Sequence, residues 1–134
     1  AAVRADVAAG EYVNTLDDAR LLAPVVDCLQ LDATRCGGYT GWQAAAAFAA
    51  AHHLDVSAHC APAIHAPVAA AVQHLRHIEY FVDHARLESI IFDGVPTPSC
   101  GMLTPENRGP GHGITVAAAA ADYRLEERPG HHDN

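Results

Sequence analysis

Short apolar runs of strand length alternate with longer stretches of helical periodicity from Val3 to about Arg86, as expected of consecutive parallel βα units. The first unit predicts a strand over 7–9, then Gly10 and Glu11, then a helix that Thr15 and Asp18 open as a capping box and that ends before Pro24. The second predicts a strand over 25–31, a turn carrying Gly37, Gly38 and Gly41, and an Ala-rich helix over 42–53. The third predicts a strand over 54–58 and a helix begun by Pro67, since proline suits a first helical turn. A fourth strand is predicted over 76–80. Beyond Phe92 the texture changes to Pro and Gly punctuation, which predicts short strands or turns, one short helix over 117–121 and a polar tail over 129–134. The expected division is 1–91 as one α/β unit and 92–134 as an irregular exit segment.

Composition narrows this picture. At 134 residues the chain suits one domain, and its 50% hydrophobic content is largely Ala, with only 6% aromatics, so the core must come from small side chains packed closely. The net charge of -8 argues against a nucleic-acid partner, whose affinity depends on clustered basic charge. No charge-free apolar run reaches the roughly 18 residues of a membrane span, so the expectation is a cytoplasmic protein without a membrane partner. Cys28, Cys36, Cys60 and Cys100 form no C-x-x-C pair and read as reduced, mostly buried thiols.

Four ionisable residues stand where predicted strands give way to loops: Glu11, Asp32, His59 and Glu79, separated by 21, 27 and 20 residues. Parallel strands put their C-terminal ends on one face, so spacings near one βα period bring all four to a common mouth. Each has an ordinary structural reading. Glu11 suits a solvated turn, Asp32 a strand-end hydrogen bond, His59 a half-buried satisfied ring, and Glu79 a partner for Arg76 or Arg86. Together they suit abstraction of a proton beside a carboxylate, which needs a base and a hard cation to stabilise the enediolate. Carboxylates suit Mg²⁺, and Asp32 can orient His59 and favour its imidazolium.

The strings A-A-G-E-Y (8–12), D-A-T-R-C-G-G-Y-T-G-W (32–42), S-A-H-C-A-P (57–62), H-I-E-Y-F (77–81), F-D-G-V-P (92–96) and P-G-H-G (110–113) resemble the enolase superfamily, specifically its mandelate racemase/muconate lactonizing enzyme group. The resemblance runs from about Val7 to Tyr123. It implies strands five to eight of a (β/α)8 TIM barrel with their helices, followed by an irregular C-terminal segment. By the same resemblance, Glu11 is the last of three carboxylate ligands to Mg²⁺, and Asp32 and His59 form a catalytic dyad with His59 as general base or acid. Glu79 then hydrogen-bonds the substrate carboxylate, and Arg35 faces the pocket as a further substrate-binding residue. Nothing matches the family's first two metal ligands, its strand-two base or its capping domain.

The leading expectation is a segment of a lyase or isomerase acting on a small carboxylate of the sugar-acid class. A complete barrel of this type needs about 250 residues, so association with a missing N-terminal half or with a second copy is also expected. The rival is an assembly module without catalysis. A third reading, a zinc or nickel site, rests on ten histidines, including His52–His53, His59 with His65, and His131–His132, which no H-E-x-x-H or Cys/His spacing organises.

Overall fold

The computed structural model describes residues 4–105 and 110–124. Its body is a parallel sheet in the order β1 (Ala8–Ala9), β2 (Cys28–Leu31), β3 (Asp55–Ala58), β4 (Leu75–Ile78). The crossovers are α1 (Leu16–Leu22), α2 (Gly38–Ala51) and α3 (Pro62–Ala69), and α4 (Val82–Ile91) follows β4. These are the consecutive parallel βα units that the alternating pattern implied, and the partial (β/α)8 architecture that the resemblance implied. A short antiparallel pair, β5 (Phe92–Asp93) with β6 (Thr115–Val116), and a 3₁₀ turn at Ala118–Tyr123 complete the described chain. The expected polar tail and His131–His132 lie outside the described residues.

Local chemistry sets most of these boundaries. Thr15 accepts from the Asp18 amide while the Asp18 carboxylate accepts from the Thr15 amide, the reciprocal box that starts α1. A 3₁₀ turn at Ala23–Val25 follows, so β2 begins at Cys28 rather than at residue 25. Gly10 must be glycine, because its φ is +131° and a Cβ there would lie 2.6 Å from the Gln30 carbonyl oxygen. That close approach of β1 to β2 precedes Glu11 directly.

Four sequence expectations need correction. The glycines read as a turn before α2 instead begin it: Gly37, with φ 88°, is its cap, and Gly38 is its first residue. Pro62, not Pro67, opens α3, and Pro67 sits inside the helix. The helix over 82–91 was not foreseen, while the short helix expected over 117–121 is present as the 3₁₀ segment Ala118–Tyr123. Arg76, offered as a partner for Glu79, instead pairs with Asp6 at 2.8 Å and Asp55 at 2.7 Å.

The core lies between the sheet and α1–α3, and alanines dominate it: Ala19, Ala33, Ala45, Ala46, Ala49, Ala58 and Ala69 are all buried. Leu29, Leu31, Trp42 and Val56 supply the bulk. Small side chains let the helices approach the strands closely, and at Gly41 the constraint is the turn that enters α2, since a Cβ there would stand 1.7 Å from the Cys36 carbonyl oxygen. Between β3 and β4 the register skips one residue: Val56 pairs with Leu75 and Ser57 with His77, leaving Arg76 as an extra residue in β4. A groove of about 630 Å³ flanks β1, lined partly by Ala8, Leu21 and Leu22, and one of about 600 Å³ flanks β4. Both outer strands are therefore open edges among the described residues. No described helix is long and apolar enough to cross a membrane.

Candidate active site at the strand ends

Register brings the predicted residues together. Leu31, Ala58 and Ile78 form one row across β2, β3 and β4. The ladder runs one step further, with the His59 amide donating to the Leu31 carbonyl and the Glu79 amide to that of Ala58, each at 2.9 Å. Asp32, His59 and Glu79 therefore occupy the next row. Glu11 reaches the same point from β1.

His59 is the hub of this group. Its Nδ1 lies 3.0 Å from Asp32 Oδ2, and its Nε2 lies 2.9 Å from Glu11 Oε2 and 4.0 Å from Glu79 Oε2. Carboxylates only accept, so Nδ1 donates to Asp32, and Nε2, the nitrogen turned toward the mouth, must carry a proton to hydrogen-bond Glu11. The Asp32 side chain is 5% exposed, and its other oxygen, Oδ1, accepts from both the hydroxyl and the amide of Thr34, at 2.7 and 2.8 Å. Burial pushes the Asp32 carboxyl up, but the hydrogen bonds from His59 and Thr34 and the nearby His65 outweigh it and hold the group below the usual carboxylate value. Asp32 is thus a fixed anion behind the imidazole.

Arg35 is engaged on the rim. Its Nη1 donates to the Glu11 carbonyl at 3.0 Å, lies 3.4 Å from Asp32 Oδ2, and its guanidinium sits 4.6 Å from the centre of the Tyr12 ring. It ties the loop after β1 to the loop after β2. The cavity of about 630 Å³ beside β1 includes Glu11 and Tyr12 in its lining but stops short of Asp32 and His59.

Two further residues stand at the site: Cys60, read from sequence only as a reduced thiol, and His65, which entered only the zinc or nickel reading. Cys60 and Ala61 both adopt left-handed backbone, with φ 49° and 36°, which is costly for residues other than glycine and concentrates at functional sites. This turn brings Cys60 Sγ to 3.0 Å from His59 Nε2, and the Cys60 amide donates to Glu79 Oε2 at 3.3 Å. The second residue is His65, fully buried on α3. Its Nε2 accepts from the Ala33 amide at 2.8 Å, and its Nδ1 donates to the Cys60 and Ala61 carbonyls at 2.9 and 3.1 Å. One neutral imidazole thus pins the strained turn to the loop that carries Asp32. The only sequence signal was a histidine on an otherwise apolar helix.

That arrangement predicts an acid-sensitive fold. Burial lowers the pKa of His65, more than the Cys60 and Ala61 carbonyls and Asp32 raise it, so below about 6.5 the unfolded chain binds a proton that the folded chain refuses. Stability should fall as pH drops below that value. Asp32, depressed in the folded state, adds a loss as pH falls below 3.8 toward its folded value. Glu88 opposes both, since burial raises its carboxyl and acid relieves it. Urea midpoints measured from pH 8 to 5.5 should therefore fall in the native chain and fall less in His65→Gln. A midpoint that holds level in both would remove His65 as the cause.

The donor set fits one arm of a magnesium site. Mg²⁺ prefers six oxygens in octahedral geometry, and Glu11 supplies a hard carboxylate at the mouth, but Nε2 of His59 stands against it, and the described residues do not make a cage on their own. Among the described residues the only group of three or more close metal-ligating side chains is His59, Cys60 and Glu79, so the histidine pairs of the zinc or nickel reading do not assemble there.

Residues 1–120 match the family described as "Enolase C-terminal domain-like". Among solved structures, a mandelate racemase/muconate lactonizing enzyme-like protein from Rubrobacter xylanophilus is 45% identical, with a TM-score of 0.81 over 88% of this chain and 33% of that one. L-talarate dehydratase from Polaromonas sp. JS666, complexed with Mg and L-glucarate, is 25% identical, with a TM-score of 0.78 over 92% of this chain and 34% of that one. A racemase from Streptomyces coelicolor A3(2) with bound magnesium, at 22% identity and a TM-score of 0.75 over 90% of this chain and 31% of that one, shares the fold. No curated protein matches the chain. The chain thus spans about a third of the length of the solved structures it matches. By matched family, fold and identity, it belongs to the enolase superfamily, in the mandelate racemase/muconate lactonizing enzyme-like group.

Proposed function

We propose that this chain carries the acid–base half of an enzyme that removes the proton next to the carboxylate of a sugar acid or related hydroxy acid, leading to dehydration or epimerisation. The observation that carries this reading is the single row of Asp32, His59 and Glu79 at the strand ends, with Nε2 of His59 facing the mouth. Asp32 holds Nδ1 and thereby fixes the tautomer, so that Nε2 takes or returns the proton as general base or acid. Glu79, in its protonated form, donates a hydrogen bond to the substrate carboxylate as the enediolate forms, and Arg35 contributes positive charge and its uncommitted N–H groups to the same anion. Glu11 gives one carboxylate to a Mg²⁺ ion that, when bound, supplies positive charge to the enediolate oxygens. Solved relatives contain magnesium and L-glucarate, which supports the cofactor and the substrate class.

The test is proton exchange. With the rest of the barrel present, Mg²⁺ and a panel of sugar acids in D₂O, proton NMR should show loss of the α-proton of at least one substrate. A panel that keeps every α-proton would sink the reading.

A second reading is favoured by the two open edges. Unpaired parallel strands with grooves of about 630 and 600 Å³ beside them invite another chain, so the isolated polypeptide serves as an assembly module. Sedimentation should then give a discrete dimer, and a well-folded monomer would count against it.

A further inference from the structure

We infer that His59 Nε2, Cys60 Sγ and the Glu79 carboxylate form a site for a thiophilic divalent cation of the zinc class, with Glu11 as fourth donor. The three ligand atoms lie within 4.8 Å of one another, and Glu11 Oε2 is 2.9 Å from Nε2. Neighbouring residues along a strand send their side chains to opposite faces, so His59 and Cys60 would ordinarily diverge. The left-handed turn at Cys60 and Ala61 cancels that divergence and sets Sγ 3.0 Å from Nε2. His65 maintains the turn through both carbonyls.

The donor chemistry selects the ion. Imidazole, thiolate and carboxylate are the ligands of tetrahedral Zn²⁺ and its Co²⁺ surrogate, whereas Mg²⁺ takes oxygen only. Tetrahedral bonds of about 2.0–2.3 Å need Nε2 and Sγ a few tenths of an ångström further apart than they stand, within side-chain adjustment. Burial pushes the Cys60 thiol up to about 11, with the charges of Glu79 and Asp32 adding to the rise. The same carboxylates that oppose a bare thiolate attract a cation. On binding, the Cys60 thiol and the Nε2–H each give a proton to solvent, the sulfur forms the S–metal bond, and Nε2 donates the lone pair so freed. A cation held there occupies the nitrogen proposed to move the substrate proton, so it acts as an inhibitor of that step. The binding itself stands apart from the proposed reaction.

Co²⁺ is the probe. The native chain, titrated anaerobically at neutral pH, should develop a thiolate-to-cobalt charge-transfer band and tetrahedral visible bands that saturate at one equivalent. Cys60→Ser should abolish the charge-transfer band and Glu79→Gln should weaken binding roughly tenfold or more. Circular dichroism should remain native in both variants. Cys100→Ser, at the exposed cysteine, should leave the spectrum intact. Excess Mg²⁺ should fail to displace the cobalt. No charge-transfer band from folded chain, a band that survives Cys60→Ser, or ready displacement by Mg²⁺ would each overturn the site. Absence of sugar-acid turnover would not touch it.

Discussion

His59→Asn should lower turnover of the responsive sugar acid by about 10²–10⁴-fold, the usual contribution of a positioned acid or base, with little change in KM. Asn is a demanding replacement because its amide can still donate to Asp32 Oδ2, which stands 3.0 Å from the native ring. What it cannot do is hold and release a proton where Nε2 stands. Binding through Glu79 and Arg35 persists, so the loss should fall on kcat. The steady-state rate and α-proton exchange should decline together, since both need the same transfer. A variant within a few-fold of the native rate would assign the base elsewhere. Glu11→Gln should behave differently, raising the Mg²⁺ concentration needed for half-maximal rate.

The second large effect concerns stability. Leu29→Ala should cost about 2–5 kcal/mol, the range for deleting a fully buried leucine. Leu29 is 0% exposed on β2, flanked by β1 and β3, and half of the buried core cluster it belongs to is alanine, which has no longer rotamer to swing into the space. Since domains of this kind are stable by only about 5–15 kcal/mol, that is a large share of the total. Urea unfolding should show a lower midpoint with an unchanged slope. Leu21→Ala is the matched control: 78% exposed on α1, it should stay within about 0.5 kcal/mol of the native value. Equal shifts in the two variants would mean that the alanine-rich core relaxes around the gap.

Much of this was legible from the chain because the signals are local and repeat. A strand of four residues ending in a polar side chain, three times over, needs no tertiary knowledge to suggest a shared mouth, and Asp32, His59 and Glu79 do share one. The capping box at Thr15 and Asp18 is equally local. The misses have long-range causes. Helix α4 has no side-chain cap and buries only Glu88, so its sequence carries neither a start signal nor an apolar stripe. Pro67 looked like a helix start because nothing nearby showed that Pro62 already filled that position. Cys60 was unreadable for a sharper reason: alternation along a strand predicts that it faces away from His59, and only the strained turn reverses this. His65 matters through carbonyls and an amide on other segments, which no periodicity records.

The extra residue in β4 reaches further than its place in the strand suggests. Arg76 is anchored by Asp6 and Asp55, toward the opposite end of the sheet from the reactive row. Because Ser57 pairs with His77 rather than with Arg76, the count along β4 arrives at Glu79 when the count along β3 arrives at His59. Were Arg76 to take a place in the ladder opposite Ser57, Ile78 would stand where the carboxylate now stands. The mouth would trade an acceptor for a greasy wall with every helix in place. The identity of the acid opposite His59 is therefore a counting property of the backbone, kept in phase by an ion pair at the far end of the strand.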